Sequence, residues 1–180
     1  MSLVQLRSRG ILDGTISASD LATGVGGKVL QVVSTLKTDR FSTNASSETD
    51  ITGLSVTITP SSTSNKILIL AHITSSSNNS SGIHFRVLRG ATAVGVGSDG
   101  SRTPMGFTTD SGQSDTNRAT TIGAYCFLDT PSSTSSLTYK VTASQFNPSN
   151  TYYINSNATL TGDTYDDIFT SGITAIEIAG

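Results

Sequence analysis

From residue 28 onward, apolar and polar residues alternate with a period of two, the pattern of strands that bury one face. Ile67, Ile69, Ala71 and Ile73 show it most clearly, as do Leu137, Tyr139, Val141 and Ala143. The alternation predicts strands over 28–35, 37–43, 49–58, 66–74, 83–89, 92–97, 118–128, 136–144, 151–155 and 173–178. In the strand at 66–74 the second face, Leu68 and Leu70 before His72, is apolar too. That strand is expected to be covered on both sides, at a sheet centre or a subunit contact. The joins carry turn chemistry at Pro60-Ser61-Ser62, Gly90, Asp99-Gly100, Pro131-Ser132-Ser133 and Asn147-Pro148. No stretch has the period of a long amphipathic helix. Short strands broken by frequent turns predict an all-β fold, a single β-sandwich or jelly roll over 28–180.

One hexapeptide occurs twice, as Thr59-Pro60-Ser61-Ser62-Thr63-Ser64 and as Thr130-Pro131-Ser132-Ser133-Thr134-Ser135, each time just before a strongly alternating strand. Proline ends one strand, and the hydroxyls satisfy the turn backbone. Two equivalent corners of a two-sheet structure would produce the match, and so would coincidence in a chain this rich in hydroxyls.

Residues 1–27 follow a different rule. Leu3, Val4 and Leu6, then Ile11, Leu12, Ile16 and Leu21, are spaced apolar residues without an aromatic partner, since every Phe and Tyr lies at or after Phe41. Ser17 to Gly24 fits one helical turn with Ser17 as its cap, and Val25-Gly26-Gly27 reads as a hinge. An extended segment cannot bury such residues alone. It is expected to be an attachment arm, the alternative being a strand laid on its own domain.

Composition narrows the class. Charged residues make up 13% of the chain, against roughly 25% in an ordinary domain, while Ser and Thr fill about a third of the positions. They are expected mainly on strand exteriors and in turns. With 11 Lys and Arg against 13 Asp and Glu, and a pI near 5.5, no nucleic-acid partner is expected. The longest apolar run, Ile67 to Ala71, is far short of a membrane-spanning helix. The first residues lack the long apolar core of a secretory signal, so synthesis in a cytoplasm without export is expected.

Candidate chemistry is sparse. Gly95-Val96-Gly97-Ser98-Asp99-Gly100 matches G-x-G-x-x-G, but Ser101-Arg102-Thr103-Pro104 follows where a dinucleotide site needs a helix. A glycine-rich strand end and turn is the better account. His72 and His84 are the only histidines; both sit mid-strand, and they are too few for a zinc site supported by the lone Cys126, itself read as a buried, inert thiol. Asp163, Asp166 and Asp167 form the densest carboxylate cluster. They are weak candidates for Ca²⁺ or for paired-carboxylate glycoside hydrolysis, against the plainer reading of a solvated turn. No cofactor and no catalytic residue is implied. The polar stretches 75–82 and 99–117 are read as loops. Arg102, Thr103, Asp110, Gln113, Asp115 and Asn117 offer possible receptor contacts, set against a merely solubilising role.

Several segments together carry a family likeness. Lys28-Val29-Leu30-Gln31-Val32-Val33-Ser34-Thr35 leads to Thr38-Asp39-Arg40-Phe41-Ser42, then Asp50-Ile51-Thr52-Gly53-Leu54-Ser55-Val56-Thr57-Ile58-Thr59-Pro60. Phe85-Arg86-Val87-Leu88-Arg89-Gly90 and the ending Ile173-Thr174-Ala175-Ile176-Glu177-Ile178 follow, with Ile11-Leu12-Asp13-Gly14-Thr15-Ile16 ahead of them in the arm. Across most of residues 10–178 the chain resembles virion structural proteins of tailed phages, especially aquatic and cyanobacterial ones, of the head-fibre or tail-fibre type. The resemblance implies a non-enzymatic knob, trimeric and TNF-like, held on the capsid or tail by residues 1–27. Its partners would be its own copies and another virion protein, the major capsid protein or a tail protein. A receptor-binding tip that recognises a host surface glycan or protein is the alternative.

Overall fold

The computed structural model of the chain describes residues 29–78, 82–109, 120–145, 150–162, 164 and 166–180; the expected arm, with Leu3, Val4, Leu6, Ile11, Leu12, Ile16 and Leu21, lies outside them. The elements are β1 (Val29–Lys37), β2 (Phe41–Thr43), β3 (Thr49–Ile58), β4 (Lys66–Ser77), β5 (Ile83–Arg89), β6 (Thr92–Val94), β7 (Phe107–Thr109), β8 (Thr121–Asp129), β9 (Leu137–Ser144), β10 (Tyr152–Ile154) and β11 (Ser171–Ile178). They form an all-β sandwich. Sheet I runs β1-β11-β4-β10-β2 with β8 on the other edge of β4, and sheet II runs β3-β9-β5-β6 with β7 also on β5. All the pairings between strands are antiparallel.

Between the sheets lies one apolar core. Ile67, Ile69, Ala71 and Ile73 of β4 face Leu54, Val56 and Ile58 of β3 and Tyr139, Val141 and Ala143 of β9, all buried. Each fully buried Ile or Leu contributes about 1.5–3 kcal/mol from apolar area alone. One flank of the core is a column of rings. Phe85 stacks on Phe107 at 5.0 Å, Phe107 on Tyr125 at 5.2 Å, and Tyr125 leans on Phe127 at 5.3 Å. Gly95 ends this column: its φ is +64°, and a Cβ there would stand 2.6 Å from the Phe127 ring.

The repeated hexapeptide marks two equivalent corners. Its first copy carries the chain from β3 in sheet II to β4 in sheet I, and its second from β8 in sheet I back to β9 in sheet II. Because β3 pairs with β9 and β4 with β8, the corners lie at one end of the sandwich, Ile58 opposite Leu137 and Ile67 opposite Asp129. Both use one hydrogen bond at matching positions: Ser64 N–H to the Ser62 hydroxyl, and Ser135 N–H to the Ser133 hydroxyl. The result is a two-strand ribbon folded over itself, as in a jelly roll.

Two expectations need correction. Ser75, Ser76 and Ser77 are not loop; they extend β4 and are fully buried. Their composition reads as a turn, yet β8 and β10 pair with the backbone while side-chain partners satisfy the hydroxyls. Ser75 bonds Thr109 at 2.7 Å and Ser76 donates to the Ser156 carbonyl at 2.7 Å. Second, Phe107–Thr109 is a strand inside the stretch read as loop, held by pairing with β5 and by its ring. Hydroxyls lie mainly on the exterior and in turns, as expected, with one buried group besides. Thr74, Thr142, Ser156 and Ser171 are buried with the β4 serines.

That buried polar seam has a cause. Along one edge β4 pairs with β11 as far as His72, then with β10 from Ser75, and the change of partner leaves backbone groups without a ladder. Asn155, in the left-handed region at φ 64°, fills the break. Its amide donates to the carbonyls of Lys37 and Asp39 at 2.9 and 3.1 Å, and its oxygen accepts from Ser171 at 2.6 Å. Its backbone N–H reaches Thr74 and its carbonyl takes the Phe169 N–H, both at 2.9 Å.

Candidate functional site

The two outer faces of the sandwich are chemically opposite. On sheet I, register places Val32, Ile176, Leu68 and Leu128 in one row across β1, β11, β4 and β8. Ser34, Thr174, Leu70 and Cys126 form the next row, and Leu36, Gly172, His72 and Ala124 the one after. Through these three rows there is no Asp, Glu, Lys or Arg. Val32, Leu36 and Leu128 are each about half exposed or more, at 58%, 60% and 49%. A shallow hollow of about 430 Å³ opens at the centre, among Leu70, His72, Ala124, Cys126 and Thr174. Beside it the His72 ring lies over Gly172, where a Cβ would meet Cε1 at 2.6 Å.

This face decides one expectation and corrects another. β4 is a sheet centre, but its Leu68–Leu70–His72 side is left uncovered by the chain's own described residues, with Leu70 and His72 exposed, so of the two expected covers a subunit contact is the one still open there. Cys126 is exposed rather than buried. The period of β8 turns Tyr125 and Phe127 to the core, so Cys126 falls on the open side.

Sheet II presents charge instead. Asp50 receives Lys140 at 2.7 Å, and Glu48 takes Arg86 at 3.1 Å and the Thr142 hydroxyl at 2.6 Å. Beside them is a polar hollow of about 250 Å³ lined by Ser46, Glu48, His84, Arg86, Thr103 and Gln145, among others. Burial lowers the His84 pKa below the ordinary imidazole range, favouring the neutral ring. His72 and His84 thus stand on different sheets.

No family model matches the chain, and no curated protein matches it. What it carries must be read from its own geometry.

The two ends of the sandwich differ as well. At one, the root end, lie Val29, where the described chain begins, the two hexapeptide corners and Gly180. At the other, the loop end, β4 leaves towards β5, β7 towards β8 and β9 towards β10. Of the six residues expected to touch a receptor, Arg102 and Thr103 are exposed on the β6–β7 connection, and Arg102 pairs with Asp99. Asp110, Gln113, Asp115 and Asn117 lie outside the described residues.

Elsewhere the titratable groups serve the fold. Asp166 accepts the Gly162 N–H, Asp167 is exposed, and Asp163 lies outside the described residues. Among the described residues no group of three His, Cys, Asp or Glu is placed to hold a metal ion. Asp129 accepts both the Tyr139 hydroxyl and Arg89 at 2.6 Å; burial and that carboxylate push the Tyr139 phenol well above its ordinary range. Tyr152, buried in the core, is pushed up to about 12. The Gly95–Gly100 segment is a strand end and turn, with Gly97 N–H on the Met105 carbonyl.

Proposed function

We propose that the chain is a non-enzymatic structural protein of a tailed-phage particle, a trimeric jelly-roll knob held on the capsid or tail by residues 1–27. The observation that carries this reading is the polarity of the sandwich. Residues 1–28 lead into β1 at the root end, while the β4–β5, β7–β8 and β9–β10 connections gather at the opposite end. A module with its tether at one end and its loops at the other suits a mount on a larger body. Three tethers per trimer would raise avidity without a strong single contact. A surface with few charges depends little on screening by salt.

Particles produced from a genome in which residues 2–24 are deleted should lack the protein, while the truncated chain remains a folded trimer. Incorporation at the wild-type level would overturn the anchoring role.

A second reading, receptor binding by the loop end, is favoured by the same polarity, because those connections would face away from the particle. Strands take 75–77 and 107–109 out of the stretches 75–82 and 99–117, which leaves 78–82, 99–106 and 110–117 for this role. Replacing 110–119 by a short Gly/Ser linker should abolish adsorption to host cells with assembly intact; unchanged adsorption removes this reading.

A further inference from the structure

We infer that the outer face of sheet I, formed by β1, β11, β4 and β8, is the contact between copies of this chain; this deepens the trimeric reading above and rests on it only for the number of copies. Four strands about 4.8 Å apart and some nine residues long span about 500 Å² in projection. That is at the upper end of the apolar patches ordinary monomers expose. With side-chain relief it approaches the roughly 800 Å² per partner of a stable interface.

The chemistry favours a second copy over a different partner. Three successive rows hold no formal charge, so gathering copies of the face around a three-fold axis brings no like charges together, and no pattern of charge asks for a complement. The face also carries both a hollow and projections, so one copy can seat side chains of the next. Its central hollow is ringed by Leu70, His72, Ala124, Cys126 and Thr174, and the same surface offers Ile122, Leu36 and Leu128 as projecting side chains. Symmetric closure of such a surface is the commonest way to remove it from water. Ser34 and Thr174, bonded to each other at 2.9 Å, take their polar atoms into the contact already partnered.

The test uses the full chain in solution, by sedimentation and by the alkylation rate of Cys126, the single thiol, which sits in the central row of the face. The wild type should sediment as an oligomer with Cys126 alkylated at least about tenfold more slowly than in dissociated chains. Leu70→Asp should weaken assembly by about a hundredfold or more, while Thr57→Asp on sheet II leaves it unchanged. Should Leu70→Asp fail to fold, the protection of Cys126 in the wild-type oligomer decides alone. A wild type that is monomeric at high concentration overturns the inference, as does an oligomer in which Cys126 stays fully reactive. The latter leaves the trimeric reading standing and moves its contact elsewhere. A monomeric chain whose Cys126 is protected only within particles also overturns it, in favour of a different partner on this face. Incorporation through residues 1–27 is scored separately from all of these.

Discussion

Glu177 Oε1 accepts the side-chain amide of Asn65 at 2.6 Å across 112 positions of sequence. The same oxygen takes the Ser61 N–H at 2.6 Å and the Ser61 hydroxyl at 2.8 Å. A buried carboxylate thus ties the last strand to the first hexapeptide corner, and Gly180 N–H closes the knot on the Asn65 oxygen at 3.1 Å. Burial pushes the Glu177 carboxyl up, but the hydrogen bonds from Ser61 and Asn65 outweigh it and hold the group below the ordinary carboxylate range.

A carboxyl depressed in the folded state stabilises above its unfolded value, and that contribution disappears as pH falls through the folded one. Glu177→Ala should therefore lower the unfolding free energy by about 2–4 kcal/mol at neutral pH, since it leaves buried donors unpaired. Glu177→Gln should flatten the loss of stability below about pH 4.5. Urea unfolding from neutral to acid pH checks both, and an acid limb as steep in Glu177→Gln as in the wild type would contradict the assignment.

The two corners share a turn bond but not a load. Ser62→Ala and Ser133→Ala should each cost about 0.5 kcal/mol from the exposed bond to the N–H two residues on, with Ser62→Ala losing its contact with the Ser64 hydroxyl at 3.0 Å as well. Ser61→Ala should cost more, about 1–2 kcal/mol, through its lost bond to a carboxylate. Ser132 has φ 49°, so Ser132→Gly should stabilise by about 0.5 kcal/mol. Equal effects for Ser61→Ala and Ser132→Ala in chemical denaturation would refute the asymmetry.

Gly95 and Gly90 separate backbone strain from crowding. Both have positive φ, but a Cβ at Gly90 meets nothing within 4 Å, whereas one at Gly95 strikes the Phe127 ring. Gly90→Ala should cost about 1–2 kcal/mol, and Gly95→Ala a further 1–3 kcal/mol or so. Near-ultraviolet circular dichroism of the ring column should change only in the second variant.

Asn155→Ala should be among the most damaging single changes, by about 3–5 kcal/mol, because it takes the partner from the Lys37 carbonyl, the half-buried Asp39 carbonyl and the buried Ser171 hydroxyl at a left-handed residue. Asn155→Gly relieves the backbone and should recover about 1 kcal/mol of that. Thermal unfolding of the pair measures the difference; equal values would remove backbone strain from the account.

Much of the fold is legible in the chain. Ile67 to Ile73 and Leu137 to Ala143 alternate so cleanly that their strands and inner faces follow directly, and the repeated hexapeptide points to the paired corners. Phe107–Thr109 escapes because three residues are too few to show a period beside Pro104 and Gly106. Ser75 to Ser77 escape because their place in a strand is decided by Thr109 and Ser156, distant partners that no local pattern reveals. The open face was half legible: the apolar second side of β4 is plain in Leu68 and Leu70. Its continuation through Val32, Ile176 and Leu128 depends on pairings between chain segments 60 to 144 residues apart.

The pairing of β1 with β11 also sets a clock. Among the described strands β1 is the first to be synthesised, and its ladder partner, Ser171–Ile178, is the last. Until that final strand leaves the ribosome, β1 has no seat, and the face shared by β1, β11, β4 and β8 does not exist. A nascent chain therefore cannot present this surface to a neighbour before β11 has been made and has paired.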